Sequence, residues 1–355
     1  DFKTKRNCCS KSCWLQLVLR LRIKFTFKKW GAVHSWLLCG FRRDSEFVAF
    51  NATPVYRADV VFQCNDNGIT FSKEGMVDLA EKLMYVTVQV RCELEGGGLS
   101  QGTGFIFTYS KGNRSLPVLI TNKHVVCGAS KTRLAIPYVH TENGIDERRS
   151  FCITVDGGEA VWVKHPDDSI DLCALPLQCV FDLMLRHDSE AHHVALDESI
   201  IPSQAQLDKL SPFENVIMIG YPIGLIDEVH NAPLMRKGMT ATHPRYDYNG
   251  QSIFLIDCAC FPGSSGSPVF LLDNGPYVED GVLTFGMQRF KFLGVMFSGP
   301  VQRATGEVDV IDIPTTQRLI ATTGIPTNLG NVIKARKLTE LGDVFWKMAE
   351  SELAE

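Results

Sequence analysis

The chain has no unbroken apolar run of about 18 residues or more, so no segment reads as a membrane-spanning helix. It has no clean signal peptide. The apolar stretch near the N-terminus is broken by Arg20, Arg22 and Lys24, and no small-residue cleavage site follows it. It has no strong excess of one charge, with 36 Lys and Arg against 40 Asp and Glu, which argues against polyanion binding by the whole molecule. The glycine cluster at 96–104 lacks the Gly-Lys-Ser/Thr ending of a phosphate loop and reads as a flexible hairpin. Cys258-Ala-Cys260 is too closely set for a zinc knuckle, and no second pair follows. His192-His193 lacks the helical His-Glu-x-x-His context, so neither a catalytic metal nor a cofactor is expected. No repeat of solenoid length and no low-complexity tract is present.

What is there points to a globular β-rich chain. Apolar residues make up 45% of its 355 residues, enough for a sizeable core. Of 12 cysteines, Cys8, Cys9, Cys13 and Cys39 lie near the N-terminus. The others sit mostly in strand-like runs such as Asp171-Leu-Cys-Ala-Leu175, the usage of buried free thiols. A reducing, cytoplasmic setting is therefore expected. Basic charge is concentrated: residues 1–43 hold eleven Lys or Arg and one acid, Asp1. Within them Leu15, Leu17, Leu19, Leu21, Ile23, Phe25 and Phe27 alternate with mostly polar or basic residues at a strand period. Residues 1–70 are set apart as a basic extension, either an accessory hairpin or an unstructured segment.

Residues 75–84 read as a short amphipathic helix. Short β-branched or aromatic-rich segments follow at 85–92, 102–109, 117–121, 133–139, 151–156, 160–165 and 172–176, divided by turn clusters such as Gly96-Gly-Gly98 and Glu142-Asn-Gly144. Residues 180–212 are polar, contain Pro202 and Pro212, and end in a short helix near 203–210, which marks a connection between two halves. Strand signals resume at 215–220, 235–242, 252–258, 267–272 and 292–298. From about Lys334 the period turns helical, with Ala335, Leu338, Leu341, Phe345 and Met348 on one face. Many short strands in two groups predict an all-β barrel or sandwich class.

Three segments carry chemistry: Leu119-Ile-Thr-Asn-Lys-His124-Val-Val126, Asp168-Ser-Ile-Asp171-Leu-Cys-Ala-Leu175 and Phe261-Pro-Gly263-Ser-Ser265-Gly266-Ser-Pro268. Each alone has an ordinary explanation: a loop histidine, a turn-capping acid, a glycine-serine loop. Together they keep one of the chain orders known for a His, Asp, Ser triad. A hydrolytic serine needs its hydroxyl on a tight turn where two backbone N–H groups converge. Gly263 stands two before Ser265 and Gly266 one after, and a strand follows at once. Ser264 lacks a glycine two before it, and Ser267 falls inside the outgoing strand. Asp167 and Asp168 compete with Asp171 but sit in the preceding turn.

The chain resembles the trypsin-like peptidases of the chymotrypsin fold, in particular their bacterial HtrA-like and intracellular branch. The matching segments are Gly102-Thr-Gly-Phe-Ile-Phe107, Thr121-Asn-Lys-His-Val-Val126, Asp171-Leu-Cys-Ala-Leu175, Ile219-Gly-Tyr-Pro-Ile-Gly-Leu225, Gly263-Ser-Ser-Gly-Ser-Pro268 and Leu293-Gly-Val295, in the family's order. The resemblance implies two six-stranded antiparallel Greek-key β-barrels with a C-terminal helix. The peptidase domain is expected at 75–330, its barrels near 85–180 and 213–310, and the helix at 331–355. No PDZ-type domain is expected after the barrels.

The resemblance also implies roles. Ser265 attacks the scissile carbonyl, His124 is general base and acid, Asp171 orients it, and the N–H groups of Gly263 and Ser265 hold the oxyanion. Substrates are then proteins or peptides. By family position the primary pocket is walled by Ala259, Cys260, Phe261, Met296, Phe297 and Ser298, with Cys258 and Gly299 at its margins. These are small or apolar, so a small or apolar residue before the cleaved bond is expected. One position departs from the digestive members: Ser264 stands where they carry an aspartate that pairs with a newly cut N-terminus. Two other readings stay open: a protease fold kept as a binding or regulatory module with little turnover, and a protease tethered to nucleic acid or anionic membrane by its basic N-terminus.

Overall fold

The computed structural model describes residues 24–29, 32–36, 79–142, 145–188, 191–285, 288–307 and 320–353. The rest of the basic extension, including the alternating stretch up to residue 23, lies outside the described residues.

The first half is one sheet built from β1 (Lys24–Lys29), β2 (Ala32–Trp36), β3 (Thr87–Leu94), β4 (Leu99–Lys111), β5 (Arg114–Thr121), β6 (Ala129–Glu142), β7 (Ile145–Asp156), β8 (Val163–Lys164) and β9 (Cys173–Pro176). Their order is β2-β1-β7-β6-β3-β4-β5-β9-β8. Two short strands, β10 (Ala191–His192) and β11 (Leu196–Asp197), pair with β6 and β4. Strands β7 and β8 lie towards opposite ends of this path, yet they are consecutive in the chain. A 3-10 turn at Gly158–Val161 joins them. The basic hairpin β1–β2 adds to β7, with Phe25 opposite Val155.

The second half is a closed barrel of β12 (Asn215–Gly220), β13 (Leu234–Thr240), β14 (Ile253–Asp257), β15 (Pro268–Asp273), β18 (Arg289–Ser298) and β21 (Leu329–Lys334). Two hairpins project from it: β16 (Tyr277–Glu279) with β17 (Val282–Thr284), and β19 (Val301–Glu307) with β20 (Ile320–Pro326). Strand β21 lies beyond the expected end of the second barrel near residue 310. Its glycine and polar residues dilute the strand signal: Leu329-Gly-Asn-Val-Ile-Lys334.

Helices are few. They are α1 (Leu79–Leu83), α2 (Lys123–Val126), α3 (Gln178–His187), α4 (Gln204–Asp208) and α5 (Lys337–Leu353). Helix α4 has a reciprocal capping box between Ser203 and Gln206, which satisfies two of its end groups. Helix α3 was not expected in a polar connection. It forms because Val180, Phe181 and Met184 make one buried stripe against the first barrel's interior.

Three cores explain the long apolar runs. Val88, Ile106, Leu119, Leu134, Cys173 and Leu175 fill the first barrel. Val216, Phe254, Val269, Leu271 and Val332 fill the second. A third core lies between them, formed by the outer faces of the same strands: Phe105, Phe107, Val118 and Ala174 meet Phe270, Phe292 and Val295. Successive side chains of a strand point to opposite faces, so a strand buried on both faces reads as a continuous apolar run. The rings of Phe105 and Phe292 touch edge to face across the halves, 5.5 Å between centroids. Helix α5 seals this core with Leu338, Leu341 and Phe345, and Tyr109 donates its hydroxyl to Leu338 O at 2.8 Å.

Candidate active site

His124 lies in α2, a single turn that follows β5 directly. Buried Val125 and Val126 anchor that turn from below and leave the histidine exposed. Asp171 ends the loop before β9, and β9 pairs with β5 through Cys173 opposite Thr121. This register brings the two side chains together. Asp171 Oδ2 lies 2.5 Å from His124 Nδ1, and Asp171 Oδ1 accepts the His124 backbone N–H at 3.1 Å. Asn122, fully buried, donates Nδ2–H to the Asp171 carbonyl at 2.7 Å and ties the two loops from behind. The competing acids are engaged elsewhere. Asp167 accepts from the N–H and hydroxyl of Ser169, and Asp168 is fully exposed 3.9 Å from Lys123.

Ser265 sits on the turn that leads into β15. Its neighbours Gly263 and Gly266 have φ of +91° and +86°, a region that costs glycine little and other residues much. The turn is bonded inside itself: Ser264 N–H donates to Phe261 O at 2.9 Å, and Ser267 N–H to Ser264 O at 3.0 Å. Gly266 N–H donates to Met296 O at 2.8 Å. By contrast, the N–H groups of Gly263 and Ser265 donate to no protein acceptor among the described residues. The carbonyl that precedes Gly263, that of Pro262, is turned away and accepts from Ile223 N–H at 2.6 Å. Ile223 has φ of +55°, unusual for a β-branched residue. The Ser265 hydroxyl donates to Phe297 O at 3.3 Å.

The halves meet at Gly102 and Thr103 of β4. Thr103 N–H donates to Ser265 O at 2.8 Å. A Cβ on Gly102 would lie 2.6 Å from a Val125 methyl and 3.1 Å from Ser265 O, so this glycine separates the histidine turn from the serine turn. Ser264 is buried, and its hydroxyl accepts weakly from Phe261 N–H at 3.4 Å.

The expected pocket walls occupy one end of the second barrel. Cys260 and Met296 are packed into its core together with Cys258, while Ala259, Phe261, Phe297 and Ser298 are half-buried. Two neighbours of these residues were missed from sequence. Strand β21 packs against them: a Cβ on Gly330 would meet Cys260 Sγ at 2.7 Å, and Asn331 donates to the Ser298 hydroxyl at 3.0 Å. Arg236 donates to Ala259 O at 2.6 Å and stacks on Phe261, 4.8 Å from the ring centre, fixing that segment from outside. Burial pushes the Cys260 thiol up to about 12, so it is a neutral group within the core.

Residues 102–278 match the family model of the trypsin-like peptidase domain, and the chain carries such a domain over that stretch. Among solved structures the chain is similar to an inactive mutant form of Rv3671c from M. tuberculosis, at 15% identity over 72% of this chain and 84% of that one, TM-score 0.33. It is similar to the HL collagenase structure at 14% identity over 53% and 76%, TM-score 0.30. It is also similar to the scabies mite inactivated protease paralogue S-I1, at 13% identity over 75% and 97%, TM-score 0.34. No curated protein sequence matches the chain.

Proposed function

We propose that the protein is a serine endopeptidase. The observation that carries this reading is the pair of unengaged N–H groups on Gly263 and Ser265, which flank the Ser265 hydroxyl on a turn whose other donors are spent. They suit an alkoxide that develops on the carbonyl under attack, which fixed donors stabilise without reorganisation. His124 receives the Ser265 proton on Nε2 as the Oγ–carbon bond forms. It later returns that proton to the departing amine, and water then hydrolyses the acyl-enzyme by the same route. The bond from Nδ1 to Asp171 holds the tautomer that leaves Nε2 free to accept, and Asp171 stabilises the imidazolium.

The make-up of the expected walls supports a small or apolar residue before the cleaved bond, since they carry no acid to favour Lys or Arg. Protein or peptide chains are the substrates. Seven free cysteines among the described residues, four of them buried, support a reducing compartment for the enzyme.

One observation favours a second reading, a module with little turnover: the Ser265 hydroxyl is directed at Phe297 O, so attack requires it to turn to His124. Labelling with a fluorophosphonate separates the two. The peptidase reading expects stoichiometric label on the parent and none on Ser265→Ala. A folded parent that takes no label makes the chain a binding module.

A further inference from the structure

The serine turn must be held in the arrangement that exposes its two N–H groups, and Ser264 provides no carboxylate for an ion pair to do so. Buried Ser264 bonds only within its own turn. The hold comes from the other half of the molecule. Thr103, fully buried on β4, donates its hydroxyl to Gly263 O at 3.0 Å and accepts Tyr221 N–H on the same oxygen at 3.0 Å. Its backbone N–H takes Ser265 O, and its carbonyl accepts the Thr121 hydroxyl at 2.7 Å, three residues before His124. One residue thus touches the serine turn at two carbonyls and is linked to the strand that leads to the histidine.

The bond to Tyr221 matters because the next turn closes on the same site. Tyr221 precedes Pro222-Ile-Gly224, whose Ile223 N–H holds the Pro262 carbonyl away from the Ser265 N–H. Gln89, buried on β3, donates to Gly224 O at 3.1 Å and secures that turn from the first barrel as well. Both carbonyls of the Pro262-Gly263 segment are therefore fixed, one directly by Thr103 and one through Tyr221 and Ile223. Pro262 O lies opposite Gly263 N–H in one peptide plane, and Ser264 O, held by Ser267 N–H, lies opposite Ser265 N–H in another; the Gly263 carbonyl between these planes is the point at which Thr103 holds the turn, and both N–H groups are left free.

We propose that Thr103 is a positioning residue for oxyanion stabilisation: its hydroxyl, set in the first barrel, locks the serine turn of the second in its working arrangement, in place of an ion pair. This rests on the serine-peptidase reading above. The hydroxyl touches no substrate. Its removal leaves Gly263 O free to rotate and Tyr221 N–H without an acceptor, while the nucleophile, base and pocket remain.

The test is Thr103→Val, which keeps the shape and removes the hydroxyl, beside Thr103→Ser, which keeps the hydroxyl. Three readouts are compared on the full chain: kcat and KM on a cleaved peptide, inhibition by a peptidyl aldehyde whose adduct carries the oxyanion, and binding of the cleaved product peptide. Thr103→Val is expected to lose about 10²-fold in kcat and in aldehyde affinity, the scale of a small misplacement at a reacting centre. Product binding and KM stay within a few-fold, and Thr103→Ser returns both losses to near the parent. The proposal is overturned if Thr103→Val keeps the parent's kcat and aldehyde affinity. It is equally overturned if product binding falls in step with them, or if Thr103→Ser fails to rescue while its thermal melt matches the parent. A parent that cleaves nothing and takes no fluorophosphonate label instead overturns the peptidase reading. Should Thr103→Val not fold, Gln89→Leu, at the second bond to the same turn, is expected to show the same split with a smaller loss, and its absence counts against the lock.

Discussion

The two halves solve the same problem differently. In the first barrel the candidate base and its orienting acid are held by their own sheet. A strand register, one buried asparagine and two bonds to one carboxylate bring His124 and Asp171 together, all within residues 121–173. In the second barrel the serine turn is not self-sufficient. Its internal bonds shape it, but its carbonyls are fixed by Thr103 and, through Tyr221 and Ile223, by a loop that Gln89 secures from across the cleft. The difference teaches that one side of the site is a property of a barrel, and the other is a property of the interface. Damage to one half should therefore read out differently from damage to the junction.

The largest expected effect lies on the self-contained side. Asp171→Asn is predicted to lower kcat by about 10⁴-fold, because the wrong imidazole tautomer faces Ser265. Its melting temperature should stay near the parent's, which differential scanning calorimetry checks. Next comes the second barrel's own stability. Arg289 is buried and bonded to both Glu214 and Asp273, Asp273 at 2.7 Å. Arg289→Met leaves two buried carboxylates without their cation and should cost about 3–5 kcal/mol in urea unfolding.

A junction variant follows in size. Gly102→Ala forces a methyl between Val125 and Ser265 O, and kcat should fall about 10²-fold with modest change in stability. If that variant is fully active, the halves are less tightly coupled than the contacts at Gly102 and Thr103 imply. Smaller still is Tyr109→Phe, which removes the bond to Leu338 O that fastens α5. It should cost about 1 kcal/mol by the same unfolding assay and leave kcat unchanged.

The smallest effect is on pH dependence. Burial depresses the basicity of His165 below its ordinary value near 6.5, against opposition from Glu340, and with Lys337 and Lys123 lowering it further. The unfolded chain binds that proton more readily, so stability is complete above about 6.5 and falls as the pH drops below it, until the folded state also protonates. Melting temperature measured from pH 7.5 down to about 5 should show this loss, and His165→Gln should flatten it.

These contrasts also mark what sequence carried. The serine turn was legible because glycines at 263 and 266 answer a backbone need, visible as positive φ at both. His124 and Asp171 were legible as neighbours because one follows and the other precedes a strand of the same sheet. The two cores inside the barrels and the one between them explain why strands such as β4 and β15 read as apolar runs rather than alternations. Thr103 was not legible as a tether, since a threonine in a strand is ordinary and its value comes from backbone groups more than a hundred residues away. Helix α3 left a signal that went unread: Val180, Phe181 and Met184 share a face, but the polar residues around them dominated. Strand β21 was obscured because Gly330, required by the approach of Cys260, weakens the strand pattern.

The most direct measurement is to trap the acyl-enzyme. The folded chain is mixed with an activated ester of a small acyl group, quenched in acid, and examined by intact-mass and peptide-level mass spectrometry. One acyl group per chain is expected, located on Ser265 and lost in Asp171→Asn at the same mixing time. A folded chain that acquires no acyl group, or one that carries it on Ser264 or Ser267, would contradict the assignment of this turn as a hydrolytic centre.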